Sequence, residues 1–400
     1  MTSTRPTPQK ATTQKVTFAQ RAWLQRAGIV VGALVVGALL GWSSRSAVIL
    51  RDGSFAANDI ATVREMLKQS YDGDIDTSKQ AEGAIRGLVA SLGDPYTTYM
   101  DAAESKDLSD DLKGALSGIG VEVGIKNNRL TVIAPIDGTP ASKAGLRAGD
   151  IIALIDGRDS SQFTLDEAVK NIRGDKGTTV TLTILRGTEK PREIAIVRDT
   201  ITVASVTSSI RDGNVGYIKL RRFGDDTELA FRNAAAELAA KGVKSVILDL
   251  RDNPGGYLDG AVSVSSEFVS SGTIVEERSR NFSEAKTMTA NPGGNLTNVK
   301  VIVLINQGSA SASEIAAGAL KDNGRATLVG EKSFGKGSVQ EVRKLSNGAQ
   351  LKITVAHWYT PKGVNISKEG IAPDVEVKLT NDDYNANRDP QLDKALELAR

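Results

Sequence analysis

Two short stretches hold the side chains best suited to chemistry. The first reads NQGSASASEIAAGALKDNG and places Ser309, Ser311 and Ser313 where an apolar run ends and a helical pattern begins. The second reads GEKSFGKGSVQ and places Lys336 between glycines. A serine hydroxyl is a weak nucleophile unless a base takes its proton. The usual base is histidine, and the chain has one, His357, inside the β-patterned stretch LKITVAHWYTP, where it reads as a strand residue. There is no cysteine, which removes thiol nucleophiles, disulfides and Cys-ligated zinc. Serine with a neutral lysine as base therefore remains open, because a lysine walled off from water loses its proton more easily. Each feature also has an ordinary reading. Ser311 and Glu314 fit a helix capping box, and most loop lysines are simply solvated.

Other segments could support such a reaction. DLRDNPGGYL ends an apolar run in an Asn-Pro-Gly-Gly turn, and either Gly255 or Gly256 could turn an N–H toward a developing oxyanion. SGIGVEVG, at Ser117 to Gly124, is a glycine-rich loop running into a strand. It reads as a hairpin turn or as a nest of N–H groups for a terminal carboxylate, with strand addition holding the peptide behind it. Gly330, Gly335 and Lys336 come close to a phosphate-binding loop. However, Gly337 stands where the Mg²⁺-binding hydroxyl is needed, and the residues after it look like strand rather than helix.

The elements that must position these groups are legible in outline. The 400 residues suffice for two or three domains, and 40% hydrophobic with 24% charged residues is an ordinary globular balance. Of 50 basic residues, seven lie in the first 51 positions with no acid among them, leaving 43 against 48 acids in the rest. No basic patch with interleaved aromatics points to nucleic acid. Residues 1–26 form a basic leader predicted to be cytoplasmic. Residues 27–42, AGIVVGALVVGALLGW, are an uncharged run read as a transmembrane signal-anchor that Trp23 and Leu24 can extend. Residues 43–57 read as a linker, and 58–105 as a helical region broken at Gly93-Asp94-Pro95. Residues 106–199 alternate short β runs with two helical segments, 200–380 alternate strands and helices, and 381–400 end in an amphipathic helix.

Together these residues resemble a known family. SGIGVEVG followed by APIDGTPASKAGLRAGDIIALIDG looks like a PDZ domain of the bacterial protease type. GSASASEIAAGALKDNGRATLVGEKSFGKGSVQ resembles the active-site region of carboxyl-terminal processing (tail-specific) proteases, with Ser311 and Lys336 25 residues apart. DLRDNPGG resembles their oxyanion strand and AIRGLVASLGDPYTTYM the stretch before their PDZ domain. The resemblance implies a multidomain α+β protein: a membrane anchor, a helical region, a PDZ domain and an α/β crotonase-like protease core. It implies Ser311 as nucleophile, Lys336 as general base and Gln340 orienting the lysine. The N–H groups of Ala312 and Gly255 are the implied oxyanion hole, and Gly118, Ile119, Gly120 and Val121 the implied binders of a peptide C-terminus. The expected substrates are proteins with flexible apolar C-terminal tails, cleaved on the extracytoplasmic side of the cell membrane. No metal or cofactor is implied. Two rivals are a non-catalytic PDZ adaptor or chaperone at the membrane, and a crotonase-like small-molecule enzyme.

Overall fold

The computed structural model describes residues 57–136, 138–345 and 347–400. The leader, the apolar run 27–42 and all of the linker except Ala57 lie outside these residues. No helix among the described residues is long and apolar enough to cross a membrane.

The chain divides into a unit ending at Gly83 and a unit from Ala84 onward. In the first unit, the helix Ala57–Ser70 carries Ile60, Val63, Met66 and Leu67 at the predicted helical spacing, and all four are exposed. A second helix, Thr77–Ala90, begins there. It ends at Ala90, and Gly93, whose φ of 66° suits glycine, closes the turn that leads into Asp94-Pro95. The next residues depart from expectation. Thr98–Met100, read from sequence as part of a helical region, form a strand. β-Branched and aromatic side chains favour it, and it pairs antiparallel with Gln350–Lys352, about 250 positions later in the chain.

Residues Val121 to Val197 form an antiparallel sheet whose strands Val121–Lys126, Arg129–Pro135, Ile151–Ile155, Thr179–Leu185 and Arg192–Val197 lie in that order. Its core is aliphatic, with Ile119, Val132, Ile152, Val180, Leu182 and Ile184 almost wholly buried. The helix Leu165–Ile172 packs against the edge strand Val121–Lys126 and is started by a reciprocal cap between Thr164 and Glu167. The chain enters and leaves this module on two strands that pair with each other, Ala115–Gly118 and Asp199–Thr202.

The rest of the second unit is built on two larger sheets. The larger runs in the order Val206–Arg211, Val215–Leu220, Ser245–Asp249, Lys300–Ile305, Ala326–Gly330, Val375–Glu376. Only the first pair is antiparallel. Its central strands are buried on both faces, which accounts for their unbroken apolar runs. The helices Thr227–Ala240, Leu258–Ser266 and Ala312–Asp322 cover one face, and Pro390–Ala399 covers the other. The smaller sheet is built on the hairpin Ser338–Lys344 and Gln350–Tyr359, with Thr98–Met100 and Thr273–Arg278 pairing with the start and the end of Gln350–Tyr359 along its other edge.

Candidate active site

Ser311 stands where the strand Lys300–Ile305 gives way to the helix Ala312–Asp322, at the carboxyl ends of parallel strands, where open α/β sheets place their sites. Its φ of 55° and ψ of −116° are costly for a residue with a Cβ. The surroundings enforce them. Ser309 Oγ donates to Leu250 O at 2.8 Å and accepts from Asn306 N, while Ser313 Oγ donates to Asn253 O at 2.9 Å. Both outer serines are fully buried and occupied in holding the turn. The middle one borders a cavity of about 860 Å³.

Lys336 borders the same cavity from the other sheet. Its backbone is fixed at both ends: the N–H donates to Glu314 Oε2 at 2.9 Å, and the carbonyl accepts from Trp358 Nε1 at 2.9 Å. Gly335 has a φ of 95°, and a Cβ there would sit 2.9 Å from the Lys368 carbonyl carbon. The loop thus needs glycine for packing, not for phosphate. Among the described residues, Lys336 Nζ makes no hydrogen bond or ion pair, and the Tyr96 ring centroid lies 5.4 Å away. Burial, followed by the charge of Lys352, holds the ammonium below the ordinary lysine range against the opposing pull of Glu314.

Glu314 connects the two regions. It is wholly buried, and its carboxylate accepts four hydrogen bonds: from Ser333 Oγ (2.6 Å) and Gly335 N (2.7 Å) on Oε1, and from Ser311 N (2.9 Å) and Lys336 N (2.9 Å) on Oε2. The sequence offered Glu314 only as a helix cap. The cap partner is real, but the same carboxylate also holds the lysine loop.

The glycine turn refines one expectation. Gly255 packs against Ser311, since a Cβ there would lie 2.8 Å from the Ser311 Cβ. Its N–H, however, donates to Asn253 Oδ1 at 2.9 Å and is not available to an oxyanion. The N–H groups of Gly256 and Ala312 make no hydrogen bond within the described residues, and both residues line the cavity. The geometry therefore favours Gly256 over Gly255. Gln340 also lines the cavity, but its Nε2 donates to Ser338 Oγ (2.9 Å) and Thr354 Oγ1 (3.4 Å) rather than engaging Lys336. His357 is exposed on its strand and lies outside the cavity lining.

Behind the glycine turn, Arg251 is braced between two acids. It donates to Asp249 at 3.0 and 2.7 Å and to Asp389 at 2.8 and 2.9 Å, tying the strand end to the C-terminal helix cap. Burial pushes the Asp249 carboxyl up, but hydrogen bonds from Arg251 and the charges of Lys219 and Arg251 outweigh it and hold the group at about 2.

A second cavity, of about 230 Å³, lies between the edge strand Val121–Lys126 and the helix Leu165–Ile172. Gly118, Ile119, Gly120 and Val121 all line it, with Val123, Val169 and Ile172 giving an apolar floor. Gly120 has a φ of 73°, and its carbonyl is fixed by Ile136 N and Thr139 Oγ1, both at 2.9 Å. The N–H groups of Ile119 and Gly120 make no hydrogen bond within the described residues.

Comparison with known proteins matches the same regions. The model of peptidase family S41 fits residues 214–377, that of the PDZ domain 107–185, and that of the activating protease CtpB N-terminal domain 45–104. The chain is 46% identical over 308 residues to the carboxy-terminal-processing protease of Bartonella bacilliformis, covering 76% of this chain and 70% of that one. It is 38% identical over 315 residues to the carboxy-terminal processing protease CtpA of Bacillus subtilis, covering 79% and 67%. Among solved structures, the photosystem II D1 C-terminal processing protease is 31% identical, with 79% of this chain and 86% of that chain covered and a TM-score of 0.53.

Proposed function

Because the chain belongs to peptidase family S41, as a serine-type peptidase of the carboxy-terminal processing group, we propose that it cleaves proteins with a Ser311–Lys336 dyad and selects them by their C-terminal tails. The observation that carries this reading is that Ser311 and Lys336, held by two different sheets, line one cavity and share Glu314.

In this reading neutral Lys336 takes the proton of Ser311 Oγ, and the oxygen attacks the scissile carbonyl. The N–H groups of Ala312 and Gly256 receive the oxyanion, one such donor being worth about 2.7–4 kcal/mol. Protonated Lys336 returns its proton to the leaving amine. A water then attacks the acyl-enzyme, with Lys336 again as base, and Ser311 is released. Gln340 acts on the lysine from the same wall when substrate is bound. The free N–H groups of Ile119 and Gly120 take the terminal carboxylate of a tail that adds as a strand to Val121–Lys126, its apolar side chains over Val123, Val169 and Ile172. Residues 27–42 hold the protein in the cell membrane with the peptidase on the extracytoplasmic side. Protease accessibility of intact cells, with cleavage only after the outer barrier is opened or from outside, checks that orientation.

The decisive experiment incubates wild type, Ser311→Ala and Lys336→Ala with an unfolded protein bearing an apolar C-terminus and follows products by mass spectrometry. Cleavage by wild type alone is expected. Cleavage by either variant at close to the wild-type rate would falsify the dyad. Blocking the substrate C-terminus as an amide is expected to weaken binding, and unchanged affinity removes the tail-capture role of Ile119 and Gly120.

A further inference from the structure

We propose that Tyr96 is a positioning residue of the Ser311–Lys336 site, its ring screening the Lys336 ammonium from water so that the amine can serve as base. The inference rests on the reading of Lys336 as base and adds to it the group that makes this possible.

Tyr96 belongs to a segment placed with care. Asp94 accepts from Tyr96 N at 3.0 Å and from Thr97 Oγ1 at 2.6 Å, closing a tight turn around Pro95. Thr97 is buried, and its Oγ1 accepts from Thr354 N at 3.0 Å, on the strand that carries the lysine hairpin. Thr98–Met100 then extend the same sheet, with Thr98 opposite Lys352. The ring of Tyr96 is therefore delivered to Lys336 by a strand that pairs with the lysine's own hairpin, and Nζ makes no hydrogen bond or ion pair among the described residues.

The ring acts in two opposing directions. Its π face favours the charged amine by about 0.5–1 kcal/mol at partly exposed sites. Its bulk removes water from the charge, and that effect can be several times larger. Burial is the leading cause of the lowered Lys336 value, and the Tyr96 ring, 5.4 Å from the amine, stands beside the buried charge. The charged groups that act on the amine are Lys352, which also lowers it, and Glu314, which raises it. Asp111, Arg173, Arg222 and Glu341 line the same cavity.

The test follows the rate of Ser311 labelling by a fluorophosphonate against pH, in the full chain, for wild type, Tyr96→Phe, Tyr96→Leu and Tyr96→Ala, with peptide kcat/KM in parallel. This reagent reads nucleophile activation without requiring a docked tail. Tyr96→Ala is expected to move the acid limb to higher pH with the high-pH plateau retained, lowering the rate at neutral pH roughly tenfold per unit of displacement. Tyr96→Phe is expected to restore the wild-type limb. Tyr96→Leu, which covers without a π face, is expected to place it at or below wild type. A lowered plateau with an unmoved limb, or a Leu variant whose limb follows Ala, overturns the proposal; where the Ala variant fails to fold, the Leu and Phe variants decide it. Lys336→Ala keeps the two readings apart. Labelling undiminished in that variant defeats the dyad, whereas labelling lost there with Tyr96 variants unmoved defeats only this inference.

Discussion

The turn that bears Ser311 and the loop that bears Lys336 solve opposite problems. The serine must be held in an unfavourable backbone conformation, and its neighbours Ser309 and Ser313 do that by bonding to the carbonyls of Leu250 and Asn253, on the one adjoining strand end. The lysine must be deprived of water, and nothing near it in sequence can accomplish this. Its walls come from Tyr96, Glu314, Lys352 and Trp358, residues up to 240 positions away. The geometry of the nucleophile is set by its neighbours docking on a single strand end, whereas the proton affinity of a base is a property of the assembled core.

The strongest way to break that contrast is to remove the one residue both regions share. Glu314→Ala leaves four donors facing a void, one from the serine turn and three from the lysine loop. We expect kcat/KM to fall by about 10³-fold or more and stability by at least about 3 kcal/mol, since each orphaned buried donor costs about 1–3 kcal/mol. Peptide cleavage and denaturant unfolding measure the two. If labelling of Ser311 survives while cleavage is lost, the serine turn is more self-sufficient than the bonding pattern implies.

Next in size is the oxyanion side. Gly256→Ala places a Cβ 2.1 Å from the Phe223 carbonyl oxygen and displaces the proposed donor. A drop in kcat of about 10²–10³ is expected, with KM little changed. A rise in KM alone would instead assign Gly256 to cavity shape.

Arg251→Met tests whether the brace behind the glycine turn is structural. It leaves Lys219 as the one cation on the buried Asp249 carboxylate, beside the Tyr217 hydroxyl and the residue-251 N–H, at a cost of about 3–5 kcal/mol for a broken buried pair. In the wild type the folded carboxyl lies at about 2 against an ordinary 3.8. That difference stabilises the fold above about pH 4 and is lost as pH falls toward 2, an effect of about 2 kcal/mol. Acid titration monitored by circular dichroism should show this component in wild type. Its persistence in Arg251→Met would detach it from the ion pair.

The smallest effect is expected from Thr97→Val, which removes the acceptor for Thr354 N. A loss of about 1 kcal/mol and a slight upward displacement of the acid limb would show that the Tyr96 segment is steered by this contact. An unmoved limb would show that the strand pairing of Thr98–Met100 suffices alone.

How much of this the chain announces follows the same division. The serine at a strand-to-helix turn, the glycine turn and the carboxylate loop are contiguous motifs whose turn chemistry is visible in the letters. The buried parallel strands show as the apolar runs VILDL and VIVLI. The choice between Gly255 and Gly256 was not legible, because it depends on Asn253 folding back onto one N–H. Nor was the orientation of Gln340, which is fixed by Thr354 across the hairpin. The strand Thr98–Met100 was hidden for a further reason. Three residues carry no period, and only a partner far along the chain turns them into a sheet edge.

The way the PDZ module joins the rest of the chain has an engineering meaning. Its two ends, Ala115 and Thr202, face one another across a pair of antiparallel strands. A segment whose ends meet in this way can be exchanged for another of the same footprint, provided the replacement restores the part of the active-site cavity wall that Leu116 and Arg173 supply. On the proposed function, the choice of what to cut and the means of cutting are then written in separable lengths of one gene.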